Sequence, residues 1–173
     1  IIDAKDDLSI QVHPDDAYAK AHENGSLGKT ECWFILDCKE NATLVVGHNA
    51  KTKEELEQMI HEGRWKEFIR EIPIKPGDFI QIDPGTVHAI KGGTLLLETQ
   101  QSSDITYRVY DYDRLSNGKP RQLHIVQSID VITVPAKSAD NSVVHIEKKD
   151  DAIQQLIQCP YYTVYRIDVE HRV

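Results

Sequence analysis

Three side chains in this sequence have types and settings that suit a metal ion: His13, Glu31 and His88. Gln11 and His13 lie two apart in Leu8-Ser9-Ile10-Gln11-Val12-His13, where apolar and polar residues alternate. On a strand, that spacing aims an amide and an imidazole to one side, while Leu8, Ile10 and Val12 grip a core on the other. Glu31 opens the apolar run Glu31-Cys32-Trp33-Phe34-Ile35-Leu36, where burying a carboxylate without a cation is costly. His88 follows a strand-like stretch and a tight turn at Pro84-Gly85, which fixes it near the strand end. Ligand atoms need that rigidity, because they must converge to within tenths of an ångström. Two histidines and a glutamate form a known catalytic zinc set that leaves coordination positions open. With only nitrogen and oxygen donors, iron or manganese would suit it too.

Taken singly, a strand histidine is ordinarily structural and a strand-end glutamate ordinarily lies in water. The six other histidines are His22, His48, His61, His124, His145 and His171. All lie in charged, turn or terminal sequence and are expected to be solvated or locally hydrogen-bonded.

The elements that must hold these groups read mostly as short strands. Apolar or alternating runs fall at 8–13, 31–36, 42–46, 78–83, 93–98 and 105–110. Turn residues separate them: Asn24-Gly25, Gly47-His48-Asn49, Pro76-Gly77-Asp78, Asp83-Pro84-Gly85, Gly92-Gly93 and Asn117-Gly118. This punctuation predicts a sandwich or barrel. Thr52-Lys53-Glu54-Glu55 is a capping box, with Leu56, Met59 and Ile60 at helical spacing behind it. Trp65, Phe68 and Ile69 predict a second short helix beyond Gly63, and Pro14-Asp15-Asp16 a start for one reaching His22. The small, polar stretch 135–142 reads as a linker. After it come a strand at 143–146, a helix capped by Asp150-Asp151 and running through Ile157, and a strand at 161–169.

The 173 residues have ordinary composition, with 40% hydrophobic and 28% charged. No apolar run approaches the ~18 residues of a membrane helix. The start, Ile1-Ile2-Asp3-Ala4-Lys5, lacks the features of a signal peptide and reads as the beginning of a piece of a longer chain. A net charge of −8 repels nucleic acid and anionic membranes, so neither is expected as a partner. A phosphate substrate would need lysines and arginines clustered against that field. Three cysteines without a CxxC pair predict neither a disulfide framework nor a thiolate zinc site, and fit a reducing cytoplasm.

Four stretches carry a family resemblance: Gln11-Val12-His13-Pro14-Asp15-Asp16; Gly28-Lys29-Thr30-Glu31-Cys32-Trp33; Asp83-Pro84-Gly85-Thr86-Val87-His88-Ala89; and Thr106-Tyr107-Arg108-Val109-Tyr110-Asp111-Tyr112-Asp113-Arg114. In this order they resemble the type I mannose-6-phosphate isomerases, in the shorter form of low-GC Gram-positive bacteria, across 8–137. The resemblance implies a mainly β, cupin-type (jelly-roll-like) barrel with short helical insertions. Gly77, Gly85 and His88 meet the second cupin motif, with Asp83 where proline is usual. In the first motif Gln11 stands where histidine is usual, and Glu31 follows an inserted segment. The resemblance makes His13, Glu31 and His88 the ligands of one divalent metal, most readily zinc, with Gln11 a looser fourth. It places the catalytic arginine at Arg108 and a substrate-binding lysine at Lys29. It implies a barrel over 1–136, with a helical insertion at about 52–72. Residues 137–173 would then be a linker and the start of a truncated C-terminal β domain.

The implied activity is metal-dependent isomerisation of mannose 6-phosphate and fructose 6-phosphate through an enediolate, in the cytoplasm, on a small sugar phosphate. The sequence does not fix the oligomeric state. Arg108 holds its proton too firmly to be a base and suits a fixed cation. With Lys29 and Arg114 it would supply the local positive charge. A non-catalytic sugar-binding module and a metal-dependent oxygenase are the competing readings, since a barrel does not fix a chemistry.

Overall fold

In a computed structural model, residues 1–138, 143–149 and 153–169 are described. The strands are β1 (Ile2–Ala4), β2 (Ile10–Val12), β3 (Glu31–Cys38), β4 (Thr43–His48), β5 (Ile69–Pro73), β6 (Asp78–Ile82), β7 (His88–Ala89), β8 (Thr94–Gln100), β9 (Tyr107–Tyr110), β10 (Leu115–Ser116), β11 (Lys119–Pro120), β12 (Val143–His145), β13 (Ile153–Gln158) and β14 (Thr163–Ile167). The helices are α1 (Asp16–His22), α2 (Lys53–His61), α3 (Trp65–Phe68) and α4 (Ile125–Val131). Two five-stranded sheets, β1-β8-β3-β6-β12 and β5-β4-β7-β2-β9, form the barrel.

Two apolar clusters explain the strand sequences. Trp33, Ile35, Leu44, Val46, Ile72, Ile80, Ile82 and Leu96 fill the space between the sheets. Ile10, Val12, Val45, Val87, Ala89, Tyr107 and Val109 lie on the outer side of the second sheet, under Leu56, Met59, Ile60 and Phe68 of the helices. The second sheet is therefore buried on both faces, which is why Leu44-Val45-Val46 is apolar throughout rather than alternating. The Thr52 hydroxyl accepts from Glu55 N (3.2 Å), so Thr52 caps α2 as read, while the Glu55 carboxylate reaches one residue further back and accepts from Lys51 N (2.6 Å).

Several elements differ from the sequence reading. The helical insertion ends at Phe68, and 69–73 is strand β5, paired with β4. Residues 153–157 form strand rather than helix: β13 pairs with β14 in a hairpin with a bulge between Gln155 and Ile157. The cross-strand partner overrides a weak local helix signal. The Asp150-Asp151 cap lies outside the described residues, as does part of the 135–142 linker. Helix α4 carries no cap or charge pattern that marks it, and its burial against α2 and β9 sustains it. Leu8 is 41% exposed and precedes β2, so it does not grip the core.

A bulge alters β9. Ile10 pairs with Tyr110 and Gln11 with Arg108, so one extra residue sits on β9. Arg108 keeps the inner face, whereas Tyr110 turns outward to stack on Trp65, with ring centroids 4.4 Å apart. Strict alternation would have put Arg108 and Tyr110 together.

At the edge of the first sheet β12 pairs with β6, and His145 Nδ1 lies 2.9 Å from Asp78 Oδ1. The β13–β14 hairpin touches the barrel through Tyr161, Tyr162 and Arg166, whose guanidinium lies over the Phe34 ring.

Candidate metal centre

Glu31 is the first residue of β3, and its partner across the sheet is Ile82 at the end of β6. Gln11 on β2 is flanked by His88 on β7 and Arg108 on β9. Paired residues share a face, so His88, Gln11 and Arg108 form a row on the inner face of the second sheet. The turn before His88 depends on Gly85, at φ +79. Its amide donates to the carbonyl of His13 (2.9 Å), which ties the two histidine-bearing segments together.

The three candidate ligands meet. His13 Nε2 lies 3.3 Å from Glu31 Oε2, and His88 Nε2 lies 3.4 Å from Glu31 Oε1. One ligand atom from each residue lies within 4.8 Å of the others, and all three side chains are at most 1% exposed. The hydrogen bonds settle the tautomers. His13 Nδ1 donates to Ile105 O (3.0 Å), and His88 Nδ1 donates to Thr86 O (2.8 Å). With Nδ1 so engaged, each ring turns its Nε2 towards the Glu31 carboxylate, and in the neutral form that nitrogen is a free lone pair. His13 Nε2 and both Glu31 oxygens have no hydrogen-bond partner. The Lys29 ammonium faces only Glu31 Oε2, and a metal ion would satisfy the converging atoms of all three residues at once. The residues fit the group that their types implied.

The Gln11 amide nitrogen donates to His88 Nε2 at 3.3 Å. Turning the carboxamide over would present its oxygen to the same point. Burial draws His88 down to about 4, which keeps the ring neutral and suited to ligation. Burial pushes the Glu31 carboxyl up, but His13, His88 and Lys29 beside it hold it down at about 2.

Lys29 Nζ sits 3.1 Å from Glu31 Oε2 and is buried. Arg108 donates to Gln122 O (2.8 Å), while its Nε is buried without a partner. Burial, then the nearby Arg121, lowers its affinity for the proton. Arg114 does not join these cations: it pairs with Asp111 (2.7 Å), as Arg121 does (2.5 Å). Asp111, held at about 2 chiefly by Arg121, takes up their charge.

The sequence reading did not single out Glu98. It pairs across the sheet with Trp33, whose Nε1 donates to Glu98 Oε2 (3.1 Å). Burial and the charge of Glu31 raise its affinity for a proton. A carboxylate closing the apolar run Leu95-Leu96-Leu97 was the available signal, of the same kind that marked Glu31. Two histidines first taken as solvated or locally bonded are neither. His48 is buried, bonds to the distant Thr133 O (2.9 Å) and stacks on Phe68. His124 Nδ1 accepts from the Arg108 backbone amide (3.1 Å).

Barrel and cluster together define a cupin-type protein with buried His-Glu-His side chains able to hold a metal. No family model matches the chain. The mannose-6-phosphate isomerase ManA of Bacillus subtilis is 54% identical to it over 165 residues, covering 95% of this chain and 52% of that protein. The mannose-6-phosphate isomerase of Streptococcus mutans is 49% identical over 174 residues, covering 100% of this chain and 54% of the relative. The crystal structure of the B. subtilis mannose 6-phosphate isomerase superposes with a TM-score of 0.81 at 49% identity, over 93% of this chain and 52% of that one. The chain is thus homologous to mannose-6-phosphate isomerases along nearly all of its length. It spans about half the length of the curated relatives that it matches.

Proposed function

We propose that the chain carries the active centre of an isomerase interconverting mannose 6-phosphate and fructose 6-phosphate. The observation behind this is the convergence of buried ligand atoms on His13, Glu31 and His88, of which His13 Nε2 and both Glu31 oxygens lack a hydrogen-bond partner, inside a barrel shared with isomerases of that name. These three residues would hold one divalent ion, with Gln11 as an additional donor. Zinc is the first choice, because the set matches a catalytic zinc site with open positions. When bound, the ion supplies Lewis-acid polarisation of the sugar carbonyl and a template for adjacent oxygens.

The chain's own residues do the rest. Arg108 shares the inner face with Gln11 and His88 and has a buried donor to spare, so it stabilises negative charge developing on enediolate oxygens. Lys29 gives the cluster a second cation, and its ammonium orients a substrate oxygen or phosphate. Glu98, the partly buried carboxyl nearby with raised proton affinity, is the acid–base candidate for moving the proton between C1 and C2. The protein would work in the cytoplasm on a small sugar phosphate. Residues 1–136 would form the metal-binding barrel, and 137–173 a linker and the opening of a C-terminal β domain.

The test is formation of mannose 6-phosphate from fructose 6-phosphate, with and without a chelator. Turnover that the chelator stops and zinc restores supports the reading. Sugar-phosphate binding without turnover, unaffected by Arg108→Ala, would favour a binding module. Tightly bound iron in place of zinc would reopen the oxygenase.

A further inference from the structure

Asp16 receives hydrogen bonds from three separate segments. Its Oδ1 accepts from Gly28 N (2.8 Å) and from Gln101 Nε2 (2.8 Å), and its Oδ2 accepts from the Tyr161 hydroxyl (2.9 Å). Gly28 begins the stretch that carries Lys29 and Glu31 into the site. Gln101 follows β8, and Tyr161 lies in the turn of the tail hairpin. The neighbouring backbone reinforces the junction: Lys29 N donates to Pro14 O (3.0 Å) and Gln101 N to Thr30 O (2.8 Å). The approach is so close that a Cβ on Gly28 would lie 2.4 Å from the Asp15 carbonyl carbon and 2.5 Å from Asp16 N. The start of α1 and the 28–31 segment are therefore seated directly on one another.

We infer that Asp16 is a positioning residue that fixes Lys29 against Glu31, and that the Tyr161 hydroxyl couples the tail hairpin to that lysine. A carboxylate suits the task because its two oxygens accept several strong bonds at once. Losing it frees the Gly28 amide and the Gln101 amide together. The 28–30 segment then opens locally, and Lys29, one residue beyond Gly28, loses its fixed place beside the carboxylate. The value of this for catalysis rests on the role proposed for Lys29. The positioning itself does not.

Competitive acetylation of lysines with acetic anhydride, read by peptide mass spectrometry, tests it without turnover. Lys91, paired with Glu71, is the internal reference. Asp16→Ala is expected to raise labelling of Lys29 over Lys91 roughly tenfold, as local opening exposes it. Asp16→Asn, which keeps one oxygen, is expected to give a smaller rise in the same direction, and Tyr161→Phe a rise of about twofold. An unchanged ratio in Asp16→Ala overturns the inference. Equal acceleration of all lysines in both Asp16 variants also overturns it, because Asp16 would then support the fold at large. An unchanged ratio in Tyr161→Phe removes the coupling to the tail. A shifted ratio in a protein without isomerase turnover upholds the positioning and sinks the isomerase reading instead.

Discussion

At Glu31 the electrostatics of the site can be tested residue by residue. Glu31→Gln removes the one negative ligand while keeping shape, and metal affinity should fall on the order of 100-fold or more, measured by calorimetric titration. Arg108→Ala touches no ligand in the proposed set. It should retain the metal stoichiometry while lowering kcat on the order of 100- to 1,000-fold, the scale of a lost oxyanion-stabilising donor. The metal-free chain should also show a definite pH response. His88 titrates near 6.5 when unfolded and about 4 when folded, so its contribution is complete above 6.5 and is lost as pH falls towards 4. Glu31, at 4.5 unfolded and about 2 folded, extends the loss between those values. Urea unfolding across that range should show stability dropping with acid, and Glu31→Gln should abolish the lower part of the slope. The types and settings of His13, Glu31 and His88 were legible in sequence. Glu98 carried the same local signal, a carboxylate at the end of an apolar run, but its pairing across the sheet with Trp33 is a register that only the fold supplies.

Short elements place the candidate ligands, and their turns are the sensitive points. Gly85 combines φ +79 with a close approach: a Cβ there would lie 2.4 Å from Thr133 Oγ1 and 2.9 Å from Val131 O. Gly85→Ala should cost about 1–3 kcal/mol through backbone strain and overpacking, read as a lower midpoint in thermal unfolding. Metal affinity should fall with it, since the same turn aims His88 and bonds to His13 O. The sequence marked this turn through Pro84-Gly85, and marked α2 through its capping box. It did not show the bulge in β9, and it misjudged β13. In β9 a bulge separated Arg108 from Tyr110. In β13 the partner strand β14 decided the conformation that local pattern left open.

For the whole molecule, metal binding and folding should be linked, because the unfolded chain cannot gather ligands 18 and 57 residues apart in sequence. A chelator should lower the unfolding temperature. Zinc at about 100 times its dissociation constant should restore about 2.7 kcal/mol of stability. The overall charge of −8 belongs to the same scale. Cations near the cluster must act against it: Arg114 and Arg121 are taken up by Asp111, and Lys29 lies against Glu31.

The sequence by itself determined which residues could bind a metal, that strands would present them, and which family the four motifs resemble. Those properties reside in side-chain type, in period-two alternation and in turn residues, all of which act over a few positions. Only the tertiary structure decided that His13, Glu31 and His88 point at one another with both histidine Nδ1 atoms already bonded to backbone carbonyls, that Glu98 lies across the sheet from Trp33, and that Asp16 joins the lysine segment to the tail. Such facts depend on strand register and on backbone carbonyls of distant residues. Closure of the barrel fixes these, and a one-dimensional pattern does not encode them.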